Sequence, residues 1–211
     1  MRANNWVLGL TGNTGSGKTT VARLLSQWGG VHVDADKLAH AALEDAQAEV
    51  VSVFGPGVLC EGAPYIDRKK LAALVFADAA KRAALEGIIH PRVVAAVRQQ
   101  IGASLSDTKR CPPDAQGAAT FYVIDAVLLV EAGLHALCDA FWLVTAPEDV
   151  RHARITQRDA LSPAQAAARL ANQRCTAPIA ALANATILNE GSLAALENTV
   201  AARVEEFLCN H

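Results

Sequence analysis

The chain has no closely spaced cysteines. Its five, Cys60, Cys111, Cys138, Cys175 and Cys209, are odd in number and far apart, with no CxxC among them. A disulfide framework is therefore not expected, and free thiols in a reducing compartment are. Long apolar runs are also missing. None approaches the ~20 residues that a membrane span requires. The apolar part of the opening MRANNWVLGL is too short for a secretory leader. Neither sign of charge dominates: 19 Lys and Arg against 21 Asp and Glu leave a formal charge of -2. That balance argues against a general nucleic-acid binder. No block of like charge forms an interaction tail, no internal repeat is found, and no obligate protein partner is evident. These absences lead to the expectation of a cytoplasmic protein without membrane or nucleic-acid partners.

What the chain does have is apolar material, 52% of its 211 residues. A chain of this length buries roughly 70% of its unfolded surface, enough for one substantial core without staples. WVLGL (6–10) is a short apolar run stopped by Thr-Gly, the pattern of a buried strand. KTTVARLLSQWGG (18–30) has apolar residues at helical spacing and a Gly-Gly stop. VHVD (31–34) is a second strand, so the first 34 residues read as strand, loop, helix, strand. Such a unit implies a parallel pair with a right-handed crossover.

Residues 37–101 read as mostly helical and alanine-rich, broken by Gly and Pro turns at 54–67, with Pro91 predicting a further boundary. The stretch 102–120 lacks periodicity and reads as a loop. FYVID and AFWLVTA begin a third and a fourth strand, and ATIL (185–188) is a short fifth. Helices are predicted over 147–159, 162–174 and 192–208. Ser162 followed by Pro163 forms an N-cap and N1 pair for the second of these. The alternation predicts an α/β fold: a doubly wound parallel sheet of about five strands, with the helical stretch inserted into it.

Between the first strand and helix, Gly12-Asn13-Thr14-Gly15-Ser16-Gly17-Lys18-Thr19 fits G-x-x-x-x-G-K-[ST]. From average composition this pattern arises by chance in roughly one such chain in a hundred. Its place after a strand and before a helix is the context a phosphate-binding loop requires. Glycines let successive backbone N–H groups turn inward around an anion. The helix N-terminus adds unpaired donors and the positive end of its dipole. Lys18 can place its charge on the β- and γ-phosphates, and Thr19 can offer a hydroxyl to Mg²⁺. Thr20 fits a helix surface as well as a ligand.

Asp34 and Asp36 follow at the carboxyl end of the second strand, the edge where open α/β sheets bind ligands. Either can accept a proton from an attacking hydroxyl or cap the helix beginning at KLAHAAL. Asp34 reads better as the cap and Asp36 as the chemical group.

The chain resembles the dephospho-CoA kinase family of P-loop kinases. The resemblance rests on GLTGNTGSGKTTVARLL, VDADKLAH, FGPGVL, DRKKLAALVF, IIHPRV, LLVEAGL, QRDALSPAQAAARLANQ and ILNEGS, in the family's order over residues 7–192. It implies that ATP phosphorylates the 3′-hydroxyl of the dephospho-CoA ribose, with Mg²⁺ as cofactor. It also implies a nucleotide-binding core (1–36, 103–146 and 181–211), a helical CoA domain (37–102) and a lid (147–180). Asp36 would be the general base.

Arg154 and Arg158 lie four apart on one face of a lid helix. Spacing alone fits a solvated face; the resemblance has at least one of them close over the triphosphate. It places His90 near the acceptor, where a helix break with a satisfied histidine is the plain alternative. Arg92 would reach a CoA phosphate or a surface salt bridge. Asp125 could hold Mg²⁺ through water, as a Walker B acid does. Glu131 matches the family's LLVE box, or else is a cap or ion pair beside the sheet. Asn189 would lie near the adenine, or is a turn asparagine.

The chain departs from the family pattern at Val127, where proline is frequent, and at Leu188, where an acid is usual. In the lid, Arg174 stands directly after Gln173, and Pro178 interrupts the run that follows. Another P-loop small-molecule or nucleoside monophosphate kinase is the alternative. A GTPase-like switch would need an N-K-x-D box, and the last strand is followed by NEGS instead.

Overall fold

The computed structural model describes residues 6–106, 121–171, 173 and 175–209. Five strands, β1 (Trp6–Thr11), β2 (Gly30–Asp34), β3 (Phe121–Asp125), β4 (Ala140–Thr145) and β5 (Ala185–Leu188), form one parallel sheet in the order β2-β3-β1-β4-β5. Because strand side chains alternate faces, the two sides of the sheet bury different sets. Leu8, Leu10, Phe121, Val123, Trp142 and Val144 face one layer, made by helices α1 (Lys18–Gln27) and α9 (Leu193–Cys209). Phe207 of α9 meets Phe121 edge-on, with ring centroids 5.8 Å apart. Val7, Tyr122, Ile124, Phe141 and Leu143 face the other layer, where the helical insertion packs.

That insertion consists of α2 (Ala35–Asp45), α3 (Gln47–Phe54), α4 (Arg68–Ala77) and α5 (Ala79–Ser106). Asp34 caps α2, its side chain accepting from Lys37 N at 2.8 Å. The predicted boundary at Pro91 is absent: α5 runs through it for 28 residues. Proline removes the N–H that would bond the Gly87 carbonyl, a loss of about 3 kcal/mol in an isolated helix. Here Ile88, Ile89, Val93 and Val97 are buried on both sides of it and hold the halves against one core. Arg92 Nη1 also donates to the Ile88 carbonyl at 2.7 Å. The helix extends to Ser106, so the predicted loop begins later than 102. Its remainder, 107–120, lies outside the described residues, as do Cys111 and Arg174.

After β4 come α6 (Glu148–Asp159), α7 (Pro163–Ala171) and α8 (Ala177–Leu182). Ser162 caps α7 as expected, and Gln165 completes a reciprocal box. Ser162 Oγ accepts from Gln165 N at 3.3 Å, and Ser162 N donates to Gln165 Oε1 at 2.9 Å. The sequence reading missed α8. Pro178 does not break this segment but sits in the first turn of α8, where a missing N–H costs nothing. Helices α6 and α7 bury a small cluster of their own, Ile155, Ala166 and Leu170.

The described cysteines are free, and burial pushes the Cys138 thiol up to about 12. Among the described residues no helix is long and apolar enough to cross a membrane. Leu8 is fully buried in the central strand. Leu8→Ala is therefore expected to lower unfolding free energy by about 2–5 kcal/mol, read from the urea midpoint at unchanged m-value.

Candidate active site

Parallel strands put the carboxyl ends of β1, β2 and β3 at one edge of the sheet, and the site is built there. The loop after β1 is shaped by close contacts. Gly17 has φ 94°, and a Cβ on it would overlap the side-chain nitrogen of Asn189. A Cβ on Gly12 would overlap the Val144 carbonyl oxygen of β4. Only glycine fits either place. Asn189, buried just past β5, donates to the Ser16 carbonyl at 2.8 Å and so supports the loop from behind.

In front of the loop lies a cleft of about 580 Å³. Gly12, Asn13, Thr14, Gly15, Gly17, Lys18, Thr19 and Thr20 line one wall, and Arg154, Gln157, Arg158 and Arg169 of α6 and α7 line another. Asp36 and Val127 stand at the side. Ser16 is fully buried beneath the loop, and neither it nor Asn189 is among the residues lining the cleft.

Charge concentrates at Lys18. Its ammonium is ion-paired with Asp125 at the end of β3 and lies 3.8 Å from Asp36 in the first turn of α2. Behind Asp125, His32 of β2 approaches through Nε2 at 3.0 Å. Burial pushes the Asp125 carboxyl up, but the His32 hydrogen bond and the Lys18 charge outweigh it, and the group lies below the usual carboxylate range. The same hydrogen bond lifts His32 above its ordinary value against burial. Burial lifts Asp36 above the carboxylate range, against the pull of Lys18 and of the Val127 N–H. That N–H donates to Asp36 Oδ1 at 3.4 Å, a bond that a proline at 127 would lack. The Val127 carbonyl in turn accepts from Thr11 Oγ1 at 3.1 Å.

The two cleft-lining arginines of α6, Arg154 and Arg158, differ. Arg154 donates from Nη1 to the Gly15 carbonyl at 3.3 Å and from Nη2 to Asn189 Oδ1 at 3.2 Å. Arg158 forms a bidentate pair with Asp159 at 2.7 and 2.9 Å. His90 shares an apolar pocket with Asp36. Glu131 lines a neighbouring groove with Asn13 and Thr14. Arg92 points elsewhere, pairing with Glu49 at 2.6 Å.

Sequence reasoning passed over His32, Arg151, Gln157 and Arg169. Arg151 Nε donates to the Thr14 carbonyl at 3.2 Å, and the guanidinium also bonds Gln173. The 151, 154, 158 spacing already set all three arginines on one helix face. His32 alternates with valines in VHVD, which puts it on the same strand face as Asp34.

A parallel sheet of this order, a glycine-lysine loop after its first strand and arginine-bearing helices across the cleft from that loop define a P-loop phosphotransferase. The chain belongs to the dephospho-CoA kinase family, whose sequence profile it matches over residues 6–195. It is 44% identical over 194 residues to the dephospho-CoA kinase of Anaeromyxobacter dehalogenans, covering 90% of this chain and 86% of that one. A Thermus thermophilus protein of known crystal structure superposes with TM-score 0.74 and 33% identity, over 96% of this chain and 97% of its own. Dephospho-CoA kinase from Campylobacter jejuni gives TM-score 0.63 and 27% identity, over 95% and 96%.

The His32–Asp125 pair has a defined pH signature. The raised His32 value means that its contribution to stability is complete below 6.5 and fades as pH rises through the folded value. The lowered Asp125 value means that its contribution holds above 3.8 and is lost as pH falls through the folded value. His32→Gln should thus destabilise most between about pH 4 and 6.5 and progressively less in alkaline buffer. Urea melts across pH check this; a loss independent of pH would contradict it.

Proposed function

We propose that this chain transfers the γ-phosphoryl group of ATP to the 3′-hydroxyl of the dephospho-CoA ribose, giving coenzyme A and ADP. The observation that carries the reading is the position of Asp36. It stands where the polar cleft of the phosphate loop meets an apolar pocket of about 280 Å³ in the helical insertion. A donor in the first and an acceptor in the second converge on one carboxylate. Family membership favours this acceptor over another small molecule or a nucleoside monophosphate.

Residues 37–102 then act as the CoA domain, 147–180 as the lid, and the rest as the nucleotide core. The loop amides of 12–17 and the N-terminus of α1 receive the phosphates. Lys18, drawn from its carboxylates to the more highly charged triphosphate, aligns the β- and γ-groups. Asp36 takes the proton of the 3′-hydroxyl as that oxygen bonds to phosphorus and the bridging oxygen departs with ADP. Its burial makes it a stronger base than an exposed carboxylate. Arg154 and Arg158 close on the transferring group from the lid. Asn189, bonded to Ser16 and Arg154, is placed to hold the loop and lid in register beside the adenine. His90 lines the acceptor pocket, and Glu131 the groove beside it.

A Mg²⁺ ion accompanying the nucleotide suits the hard oxygens at hand. Thr19 offers its hydroxyl at the cleft wall, and Asp125, kept ionised, can reach the ion through water. When bound, it neutralises charge on the transferring phosphates. The reaction fits a cytoplasmic setting supplied with ATP.

A coupled ADP-release assay with dephospho-CoA, AMP and shikimate as acceptors tests the reading. Turnover should be strong with the first alone, and equal slow hydrolysis with all three would overturn it. Asp36→Asn should keep ATP affinity and lose about 10²–10⁴ in kcat. Near-normal kcat would remove Asp36 from the base role. Lys18→Ala should weaken both nucleotide binding and transfer, measured as KM for ATP and kcat.

A further inference from the structure

Two cavities adjoin the phosphate cleft. The apolar pocket, between α2, α5 and the segment 126–134, shares Asp36 with the cleft. A groove of about 350 Å³ shares Asn13, Thr14 and Val127 with the cleft and extends to Glu131, Gln173 and Ile179. Arg82 and Leu128 line both the pocket and the groove. The titratable groups there are mainly acidic: Asp36, Glu86 and Glu131, with His90 beside them. Among the described residues lining these two cavities, Arg82 is the one permanent cation.

The proposed acceptor carries a diphosphate between its ribose and its pantetheine arm. With the ribose hydroxyl at Asp36, the diphosphate must sit close by, in cavities whose described lining is otherwise acidic, neutral-polar or apolar. A dianion there without a counter-charge is strongly disfavoured. Guanidinium matches phosphate oxygens in a bidentate fork and is never deprotonated. Arg82 has the means to do this. Asp78 caps α5, its Oδ1 accepting from Ala80 N at 2.9 Å and Lys81 N at 3.1 Å, so the backbone that carries Arg82 is fixed. Nε and Nη2 donate to the Val75 and Phe76 carbonyls, each at 3.3 Å. Those two bonds leave three of the five guanidinium donors for a ligand. Arg92, the other arginine considered for a CoA phosphate, is paired with Glu49 and lines neither cavity.

We propose that Arg82 binds the diphosphate of the acceptor, and that it sets the preference for acceptors bearing one. This rests on the dephospho-CoA reading above. A purely structural role, closing the carbonyls at the end of α4, makes the opposite prediction. Arg82→Gln separates the two, because glutamine keeps N–H donors for those carbonyls and removes the charge.

The variant should raise KM for dephospho-CoA about 10- to 100-fold, the range for a lost hydrogen bond to a charged group. KM for ATP should stay within about twofold, and Arg82→Lys should restore part of the loss. Equilibrium titration of each variant with dephospho-CoA and with adenosine, which lacks the diphosphate, gives a second readout. Affinity for the first should fall and for the second should hold. Unchanged KM and affinity for dephospho-CoA in Arg82→Gln would overturn the proposal, as would equal losses for both ligands. Failure of the wild-type chain to phosphorylate dephospho-CoA would instead overturn the functional reading. An active wild type with an indifferent Arg82→Gln would leave that reading standing and reduce Arg82 to a helix cap.

Discussion

One ammonium group organises the edge of this sheet. Lys18 lies between Asp125 and Asp36, and each of the three side chains is delivered by a different element. The cation comes from the first residue of α1, one carboxylate from the last residue of β3, and the other from the first turn of α2. Their meeting therefore depends on the register of three strands. Asp34 pairs in register with Asp125, and Leu10 pairs with Asp125 from the other side. A slip of one residue in β3 would turn Asp125 to the other face of the sheet, away from Lys18. Because β1 and β3 are buried on both faces, such a slip would also force both packed layers to rearrange.

The same ammonium differentiates the two carboxylates. Asp125 has Lys18 and His32 as partners and is held anionic. Asp36 has a more distant cation and one long amide bond, and burial leaves it more basic. Two chemically identical groups within 3.8 Å of a common cation are thus pushed in opposite directions by their surroundings. The departure at Val127 acts on this balance, because the residue supplies an N–H where the family pattern often has a ring nitrogen.

Much of this was legible in the sequence, and the reasons are local. The loop motif, the alternating strands, the Asp34 cap and the Ser162–Pro163 start each carry their signal within a few residues. Pro91 and α8 were misread because tertiary burial overrode a local rule in one case and a first-turn proline was taken for a breaker in the other. Asn189 shows the limit most clearly. A place near the adenine is what the resemblance suggests for it, but its bond to Ser16 spans 173 residues of chain. No local pattern announces such a contact. The cation at Arg82 was equally silent, since its meaning comes from the acidity of two cavities that exist only in the folded chain.

The small cluster of Ile155, Ala166 and Leu170 has a consequence for motion. The sheet layers share long continuous cores, whereas α6 and α7 rely on three buried side chains of their own and on polar bonds to the loop. A unit joined to its neighbours mainly by guanidinium-to-carbonyl contacts can part from them without opening a hydrophobic core. Its local opening free energy is then set by a few exchangeable hydrogen bonds and lies well below that of the whole molecule. Amide protons in α6 and α7 would accordingly exchange in an independent, shallower transition than those of β1 and β3.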